Sequence, residues 1–263
     1  MRWIILFMAV LFFPALHAKS ILIGTLPYAP PFAMAADSKE DFFGFDIELM
    51  NEICTRIKIT CKFKPLKVPE LFSELLEGKI DLAMAAISIT ESRQDDFLFS
   101  LPYLTSNAQF LTNSGSELNS IEDIRNKKVG IEKGTLFKMV VLEQFSNEAQ
   151  IIEYPSIDEA FKGLTNNEVD ILIMDAGAAK YWAATATPDF KLVGDKIPVG
   201  VGYGIMANKK SQALIDQINK ALMDMEADGT YLKIYKRYFT LLSFLKMKQM
   251  MSNKTYPEEL LTH

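Results

Sequence analysis

Histidine is nearly absent from this chain, with two in 263 residues. His17 lies in an apolar N-terminal segment, and His263 is the last residue. Ser–His and Cys–His catalysis need an imidazole beside the nucleophile, and zinc sites usually draw on histidine and cysteine. The scarcity of histidine therefore excludes these two catalytic arrangements and the usual zinc sites from the body of the chain.

Long apolar runs are also missing, apart from one at the N-terminus. Arg2 is followed by apolar residues 3–13 and then by the sequence PALHA, which ends at Ala18. A positive residue, a short apolar core and a small residue at the cut predict a signal peptide over 1–18, cleaved near Ala18. The core is too short to span a bilayer comfortably. We expect an exported, soluble protein of about 245 residues, enough for one large domain or two lobes.

Cysteine is as scarce as histidine. The chain has two, Cys54 and Cys61, which are seven positions apart. An even number of cysteines in an exported protein favours a disulfide. Closing so short a loop contributes roughly 2–3 kcal/mol of stability. Two reduced thiols in the core are the alternative.

The chain has no excess of positive charge. Setting Arg2 aside lowers the 28 basic residues to 27, against 33 acidic ones, for a net charge near −6. This charge argues against a nucleic-acid partner and against an anionic membrane surface.

The most informative stretch that is present is 80–93, IDLAMAAISITESR. Its apolar half, 80–87, predicts a strand that is buried on both faces. Its polar half places the hydroxyls of Ser88 and Thr90 at a helix start, with Arg93 within one turn. Free backbone N–H groups and a cation at the end of a buried strand can hold a carboxylate. The alternative is a strand, a capped turn and an arginine on the surface.

A second window repeats this arrangement. The apolar run 169–175 predicts another buried strand, which ends in Asp175. Four residues stand 89 positions before their counterparts: Phe72, Leu75, Asp81 and Leu82 match Phe161, Leu164, Asp170 and Ile171. Two copies of one arrangement predict two similar lobes, each an open sheet with helices on both faces. Ligands bind such sheets beyond the carboxyl ends of the strands, which places Ala86 and Asp175 on one cleft.

The proline-rich loop 25–32 contains two aromatic residues, Tyr28 and Phe32. They belong either to a rigid surface turn or to a lip that faces the ligand. Two further predictions concern single elements: Asp46 as the N-cap of the helix that follows this loop, and a strand over 199–207.

The predicted cleft holds opposite charges on opposite lobes. Arg93, with the N–H groups near Thr90, suits a carboxylate, and Asp175 suits an ammonium group. Gly134 and Thr135 follow another predicted strand and free further N–H groups for an anion, although a tight turn is the simpler interpretation. A ligand that carries both charges close together is an α-amino acid. Burying it requires that both charges are paired, and contacts from both lobes would draw them together.

With these residues, the chain resembles the periplasmic solute-binding proteins of polar amino-acid ABC transporters, solute-binding protein family 3. The matching motifs are GFD at 44–46, GKIDLAMAAISITESR at 78–93, PY at 102–103, KVGIEKGT at 128–135, VDILIMD at 169–175 and ADGTYLKIYKRYF at 227–239. The resemblance implies an α/β fold of two lobes, each an open, mostly parallel sheet flanked by helices, joined by two hinge strands. The implied division is 19–106 with 200–239 for lobe 1, 107–199 for lobe 2 and 240–263 for a C-terminal extension.

The resemblance also implies roles for individual residues. Arg93 corresponds to the arginine that binds the ligand carboxylate, helped by Thr90 and Thr135, and Asp175 to the aspartate that binds the ammonium group. Ser88 matches a position that holds the ligand through its backbone or hydroxyl. The complete set of expected ligand residues is Arg93, Asp175, Ser88, Thr90, Thr135, Tyr28, Phe32, Ala86 and Phe137.

The pair Cys54–Cys61 is similar to a disulfide of the lysine/arginine/ornithine, histidine and arginine binders, which hints at a basic ligand. The chain departs from those binders at the side-chain pocket. They carry an acid near the position of Leu26 that pairs with the cationic end of the ligand, and Leu26 cannot form this pair. Elsewhere in the pocket, Ala85 and Ala86 replace serines, Leu136 and Phe137 replace polar residues, and Val68 replaces a larger apolar residue. Ala29 stands where those binders have a tyrosine, and the tyrosine of this chain comes one position earlier, as Tyr28. We therefore expect a pocket that is more apolar than usual.

The implied function is capture of a free amino acid, basic or polar, by lobe closure, and its delivery to an inner-membrane ABC permease. We expect a periplasmic monomer that has no nucleic-acid partner, no cofactor and no metal, and that does no chemistry. One alternative is a periplasmic dehydratase acting on a cyclic amino-acid precursor, with Glu132 or Asp175 as acid or base. Another is a sensor that presents its ligand to a receptor.

The segment 240–263 runs past the usual end of this family. Its apolar residues predict an extra helix: Leu241, Leu242, Phe244, Leu245, Met247, Met250 and Met251. This helix either packs on the body of the protein or forms a contact with a partner or a second copy.

Overall fold

The computed structural model of the protein describes residues 20–36, 41–186 and 189–253. The predicted signal peptide, 1–18, lies outside these ranges. Two five-stranded sheets and one three-stranded sheet form the framework. Within the described ranges, no helix is both long enough and apolar enough to span a membrane.

Strands and helices alternate along much of the chain. The strands are β1 Ser20–Thr25, β2 Tyr28–Ala29, β3 Ala33–Ala35, β4 Phe42–Phe43, β5 Thr60–Pro65, β6 Leu82–Ala83, β7 Phe97–Phe99, β8 Asn107–Asn113, β9 Lys128–Glu132, β10 Gln150–Tyr154, β11 Ile171–Asp175, β12 Phe190–Pro198 and β13 Met206–Asn208. The helices are α1 Phe45–Arg56, α2 Val68–Leu76, α3 Glu91–Gln94, α4 Phe137–Phe145, α5 Ile157–Thr165, α6 Ala176–Thr185, α7 Gln212–Ala227, α8 Thr230–Tyr238 and α9 Leu241–Asn253.

The first sheet has the strand order β5-β1-β6-β13-β7. β1 pairs in parallel with β5 and β6, whereas β13 runs antiparallel to β6 and β7. Ile21 and Ile23 of β1 pack in a core that includes residues of α1, α7 and α8. Leu22, which points to the opposite face, packs with Leu71 and Leu75 of α2. Helices therefore cover both faces of this sheet, as its apolar strands require.

The second sheet has the order β10-β9-β11-β8-β12. β9 is parallel to β10 and β11, whereas β8 runs in the opposite direction and is antiparallel to both of its neighbours, β11 and β12. Its strands are buried through residues such as Val129 and Ile171, both fully buried. These two sheets with their helices are called lobe 1 and lobe 2 below. They confirm the predicted class of two open, mostly parallel sheets flanked by helices, while the residue boundaries of the lobes stay a prediction.

Two connections join the lobes, one between β7 and β8 and one between β12 and β13. They run antiparallel, because the N–H of Tyr103 donates to the Tyr203 carbonyl and the N–H of Tyr203 donates to the Leu104 carbonyl, both at 2.8 Å. Tyr203 also forms a single β-bridge with Ser88. The paired connections place the carboxyl ends of both sheets on one cleft.

The run 80–87 is not the long strand that its apolar pattern predicts. Strand pairing is confined to β6, and the backbone of Ala86 has a φ of 48°, which lies outside the strand region. The N–H of Ala86 donates instead to the buried carboxylate of Asp46, at 2.9 Å. The chain therefore turns away from the sheet before Ser88, and this turn lies at the cleft.

The predicted strand over 199–207 is also wrong for most of its length. Gly200 and Gly202 have φ values of 63° and 141°, so the backbone turns there, and only β13 is strand. The nine-residue strand β12 precedes this turn and was not predicted. It lies at the edge of its sheet with more than half its residues exposed or half-buried, so it lacks a clear apolar pattern.

The disulfide between Cys54 and Cys61 is present and joins α1 to β5, which confirms that prediction. The extra helix is present as α9. Phe244 and Met247 of α9 are buried, and the ring of Phe244 lies 5.6 Å from that of Tyr181 on α6. The helix therefore packs on the body of the protein through one face. Within 241–249 of this helix, the large apolar side chains that are exposed are Leu241, Leu242 and Leu245.

Candidate functional site

A cavity of about 50 Å³ lies between the lobes at the carboxyl ends of their strands. Lobe 1 contributes one charged side chain and a set of apolar walls, and lobe 2 contributes two carboxylates. The lining residues are Leu26, Val68, Leu71, Phe72, Ala85, Ala86, Ile87, Ser88, Arg93, Glu132, Thr135, Leu136, Phe137 and Asp175.

Arg93 is held in place on the lobe 1 wall from three directions. The hydroxyl of Thr90 caps the short helix α3 and accepts a 3.4 Å hydrogen bond from the Arg93 N–H. The guanidinium donates to the Ser88 carbonyl at 2.9 Å, and its Cζ lies 5.0 Å from the centre of the Phe72 ring. Burial lowers the pKa of Arg93 to about 10, with Asp175 acting in the opposite sense. The side chain therefore stays cationic at neutral pH.

Asp46 supports the lobe 1 wall from behind, but it is not the N-cap that the sequence predicts. The helix α1 begins at Phe45 after Gly44, and Asp46 lies in its first turn. Its Oδ2 accepts from the Ala86 N–H at 2.9 Å and from the Tyr103 hydroxyl at 3.2 Å. Burial raises the pKa of this carboxyl to about 7. Asp46 thereby fixes the backbone of Ala86 at the cavity.

Asp175 ends β11 on the opposite wall. The hydroxyl of Tyr203, which lies in one of the two connections, donates to its Oδ1 at 2.5 Å. Burial raises the pKa of Asp175 to about 6, while the Tyr203 hydrogen bond and the charge of Arg93 lower it. The opposite charges of Arg93 and Asp175 thus interact across one cavity, as the sequence predicts.

Glu132 ends β9 beside Asp175, since β9 and β11 are parallel neighbours. The backbone N–H of Ile157, at the start of α5, favours its ionised form and so lowers its pKa. Burial, together with the negative charges of Asp175 and Asp158, raises the pKa of Glu132 to about 7. Lobe 2 therefore presents two adjacent carboxylates to the cavity.

The lobes touch at the edge of this cavity. Gly134, which has a φ of 86°, lies so close to lobe 1 that a Cβ on it would be 3.1 Å from Cγ of Pro69. The same Cβ would be 3.3 Å from a methyl group of Val68. The positive φ and the close approach both favour glycine at this position.

Six of the expected ligand residues line the cavity: Arg93, Asp175, Ser88, Thr135, Ala86 and Phe137. The hydroxyls of two of them are already engaged. Ser88 Oγ lies 2.6 Å from Ser106 Oγ, and Thr135 Oγ1 donates to the Glu132 carbonyl at 2.7 Å. Thr90 is not in the lining and acts as the cap of α3.

Tyr28 and Phe32 are not brought to the cavity, in contrast to the expectation that they form a lip facing the ligand. Phe32 is 1% exposed, and its ring lies 5.8 Å from that of Tyr203 and 5.7 Å from that of Phe239. The ring of Tyr28 lies 6.0 Å from that of Trp182. The aromatic neighbours of both rings are side chains that do not line the cavity.

Some lining residues were not expected. The sequence suggests Glu132 only as an acid or base of an enzyme, although it stands at the end of a predicted strand, as Asp175 does. Phe72 and Leu71 come from α2, whose apolar face gave no sign that part of it meets the cavity. Of the residues at which the chain departs from the basic amino-acid binders, six line the cavity and Ala29 does not: Leu26, Val68, Ala85, Ala86, Leu136 and Phe137. In the described part of the chain, no group of three or more His, Cys, Asp and Glu residues is placed to hold a metal.

A cavity between two open α/β lobes, with an arginine on one wall and carboxylates on the other, defines a two-lobed ligand-binding protein. The family described as bacterial extracellular solute-binding proteins, family 3, matches residues 21–241. This chain belongs to that family, which confirms the resemblance.

Its relatives are binding proteins for amino acids. The chain is 32% identical over 234 residues to the histidine-binding periplasmic protein of Escherichia coli K12, covering 84% of this chain and 88% of that one. It is 30% identical over 229 residues to the lysine/arginine/ornithine-binding periplasmic protein of the same strain, with the same coverage. Among solved structures, an arginine 3rd transport system periplasmic binding protein from Legionella pneumophila is 41% identical with a TM-score of 0.81, covering 84% of this chain and 100% of that one. An ancestral arginine-binding protein bound to glutamine is 31% identical with a TM-score of 0.77, covering 84% and 98%.

Proposed function

We propose that this protein binds one free amino acid outside the cytoplasm and delivers it to an inner-membrane ABC permease. The observation that carries the proposal is the placement of Arg93 and Asp175 on opposite walls of one cavity. An α-amino acid carries a carboxylate and an ammonium group at the spacing of one carbon atom, so it can meet both residues at once. The relatives named for histidine, arginine and lysine support a basic or polar ligand.

In this binding mode, Arg93 takes the α-carboxylate. The first N–H groups of α4, near Thr135, lack partners within the helix and suit the same anion. Asp175 takes the α-ammonium group. Each contact pairs a buried charge that would otherwise be costly, and together they bridge the two lobes, which favours closure.

The division of the chain is part of the proposal. The first lobe takes 19–106 and 200–239, the second takes 107–199, and 240–263 is a C-terminal extension. The membership of the strands in the two sheets supports these limits. We also propose that the protein is exported with cleavage near Ala18, is located in the periplasm and is a monomer. The periplasmic relatives support the location.

Thermal denaturation of the purified protein with each of the twenty amino acids tests this function. Because a ligand that binds only the folded state stabilises it, one or a few amino acids should raise the melting temperature in a concentration-dependent way. Titration calorimetry of those amino acids should give one site per chain. If none of the twenty raises the melting temperature, the proposed function is wrong.

We further propose that the site carries out no chemistry. The relatives named above are binding proteins. A dehydratase is the competing function, because a structural neighbour at 26% identity, with a TM-score of 0.75, is an ancestral amino-acid-binding protein described as a precursor of cyclohexadienyl dehydratase. Incubation with prephenate and arogenate distinguishes the two: turnover of either would establish an enzyme, and we expect none.

A further inference from the structure

The charges that face the cavity do not balance. The ionisable side chains in its lining are Arg93, Glu132 and Asp175, one cation and two carboxylates. Within the described ranges, no Lys or Arg nitrogen lies within 4.0 Å of the Glu132 carboxylate. When both carboxylates are ionised, the cavity is therefore one positive charge short.

Glu132 is held at the cavity and does not extend into solvent. It is the last residue of β9, paired in parallel with Tyr154 of β10 on one side, while β11 and Asp175 lie on the other. Its side chain is half-buried and lines the cavity. The charged groups that act on it are Asp175 from β11 and Asp158 from α5, and both are negative.

A bound amino acid changes this balance according to its side chain. With its α-carboxylate on Arg93 and its α-ammonium on Asp175, a ligand with a neutral side chain leaves Glu132 without a counter-charge. Burying an ionised group without a partner is unfavourable. A ligand with a second positive charge supplies the missing partner.

We propose that Glu132 binds the positively charged side chain of the ligand and selects basic amino acids over neutral ones. This inference rests on the proposed function, because it assumes that Arg93 and Asp175 hold the α-carboxylate and α-ammonium groups. The apolar walls formed by Leu26 and Val68 suit the methylene groups of arginine or lysine. Glu132, the acid proposed to bind the ligand side chain, thus lies at the end of β9, on the same wall as Asp175.

Titration calorimetry of the wild type and Glu132→Gln with arginine, lysine and glutamine tests this assignment. The substitution keeps the size of the side chain and removes its charge. We expect the affinity for arginine and for lysine to fall by at least about 30-fold, the loss typical of a buried charge pair deprived of one partner. The affinity for glutamine should change by less than about 3-fold, since no charge pair is lost.

Glu143→Gln is the matched control, because Glu143 is an exposed residue of α4 in the same lobe and does not line the cavity. It should bind all three ligands as the wild type does. A second variant, Glu132→Lys, should lose arginine and lysine binding yet still melt cooperatively, which separates loss of the charge from loss of the fold.

Two results would overturn the assignment while leaving the proposed function intact. One is a Glu132→Gln protein that keeps its arginine affinity within about 3-fold of the wild type. The other is an equal loss for arginine and glutamine, which would make Glu132 a general support of the site. A wild-type protein that binds no amino acid at all, neither these three nor any other, would instead show that the proposed function is wrong.

Discussion

The two walls of the cavity are built from unlike chemistry. Lobe 1 offers a single charge, Arg93, which the Ser88 carbonyl and the Phe72 ring hold in position. Lobe 2 offers two carboxylates, Asp175 and Glu132, whose pKa values are raised to about 6 and about 7. Arg93 is charged and already positioned to bind an anion. The two carboxylates, in contrast, are buried near each other, and the lining of the cavity contains a single cation to neutralise them.

This difference shows how a cavity can be selective without many polar contacts. In the proposed binding mode, the lobe 1 wall recognises a group that every amino acid carries, and most of its remaining surface is apolar. The lobe 2 wall has two carboxylates, so we expect its contribution to depend on how much positive charge a ligand brings. We therefore expect changes on lobe 1 to affect all ligands alike and changes on lobe 2 to depend on the ligand and on pH.

Removal of Arg93 should have the largest effect. Arg93→Ala would leave the ligand carboxylate buried without a cation, which typically costs about 3–5 kcal/mol and corresponds to at least about 100-fold in Kd. Calorimetric titration should show this loss for every amino acid that the wild type binds. Arg125→Ala is the control, because Arg125 forms an exposed ion pair with Glu148. Unchanged affinity in Arg93→Ala would place the carboxylate site elsewhere.

Asp175→Asn should have the next largest effect. The amide keeps the shape of the side chain but does not neutralise the ligand ammonium, so we expect a loss of about 30-fold. The loss should be smaller than for Arg93→Ala because Glu132 still places a negative charge on the same wall. Asp195→Asn, on the exposed surface of β12, serves as the control in the same titrations. A loss greater than that of Arg93→Ala would reverse the ranking of the two walls.

Acidification should weaken binding through lobe 2 alone. Burial raises the pKa of Asp175 from 3.8 to about 6 and that of Glu132 from 4.5 to about 7, and a ligand ammonium binds their ionised forms. The affinity should therefore fall by at least about 10-fold between pH 8 and pH 5, the loss expected from Asp175 alone, and further for a ligand that also uses Glu132. Arg93 stays charged throughout this range. The measurement is Kd against pH, and a constant Kd would contradict the proposed role of the carboxylates.

The ligand-free protein should show the opposite trend. Because the folded state holds these protons more tightly than the unfolded chain, their contribution to stability is full below pH 4 and is lost as the pH rises through 6 to 7. Asp46, with a pKa near 7, adds to the same trend. Calorimetric melting without ligand should therefore give a higher Tm at pH 5 than at pH 8.

The smallest effect is expected where the walls meet. Gly134→Ala would place a Cβ about 3.1 Å from Pro69 and strain a backbone with a φ of 86°. We expect affinity for all ligands to fall by about 5-fold, as mild overpacking costs about 1 kcal/mol or more. Gly115→Ala, in the same lobe, is the control because nothing lies within 4 Å of its added Cβ. Equal affinity in both variants would show that this contact plays no part in closure.

The sequence predicts elements best where a buried run carries the signal, as in β1, β9 and β11. Asp175 is marked by its place at the end of such a run, and Arg93 by its place within one helical turn of the hydroxyls that follow the run 80–87. The turn at Ala86 could not be predicted, since its backbone depends on Asp46, 40 residues away in the chain. The place of Phe32 depends in the same way on the rings of Tyr203 and Phe239. Such long-range contacts leave no local pattern.

Glu132 shows a different limit. Its position after a strand is as clear in the sequence as that of Asp175, but its meaning depends on which residues surround it. Only the folded chain shows that the negative charges of Asp175 and Asp158 raise the pKa of Glu132. Only the folded chain shows, too, that no Lys or Arg in the described ranges forms an ion pair with it. A count of charges around a site requires the complete set of neighbours, which a pattern along one segment does not supply.

The contact between Gly134 and Pro69 has a kinetic consequence. If the proposed closure traps the ligand behind this edge, its residence time depends on the opening rate of the whole molecule as well as on the strength of its own contacts. A permease that holds the two lobes apart would then speed the dissociation of any bound ligand without altering a single residue of the cavity.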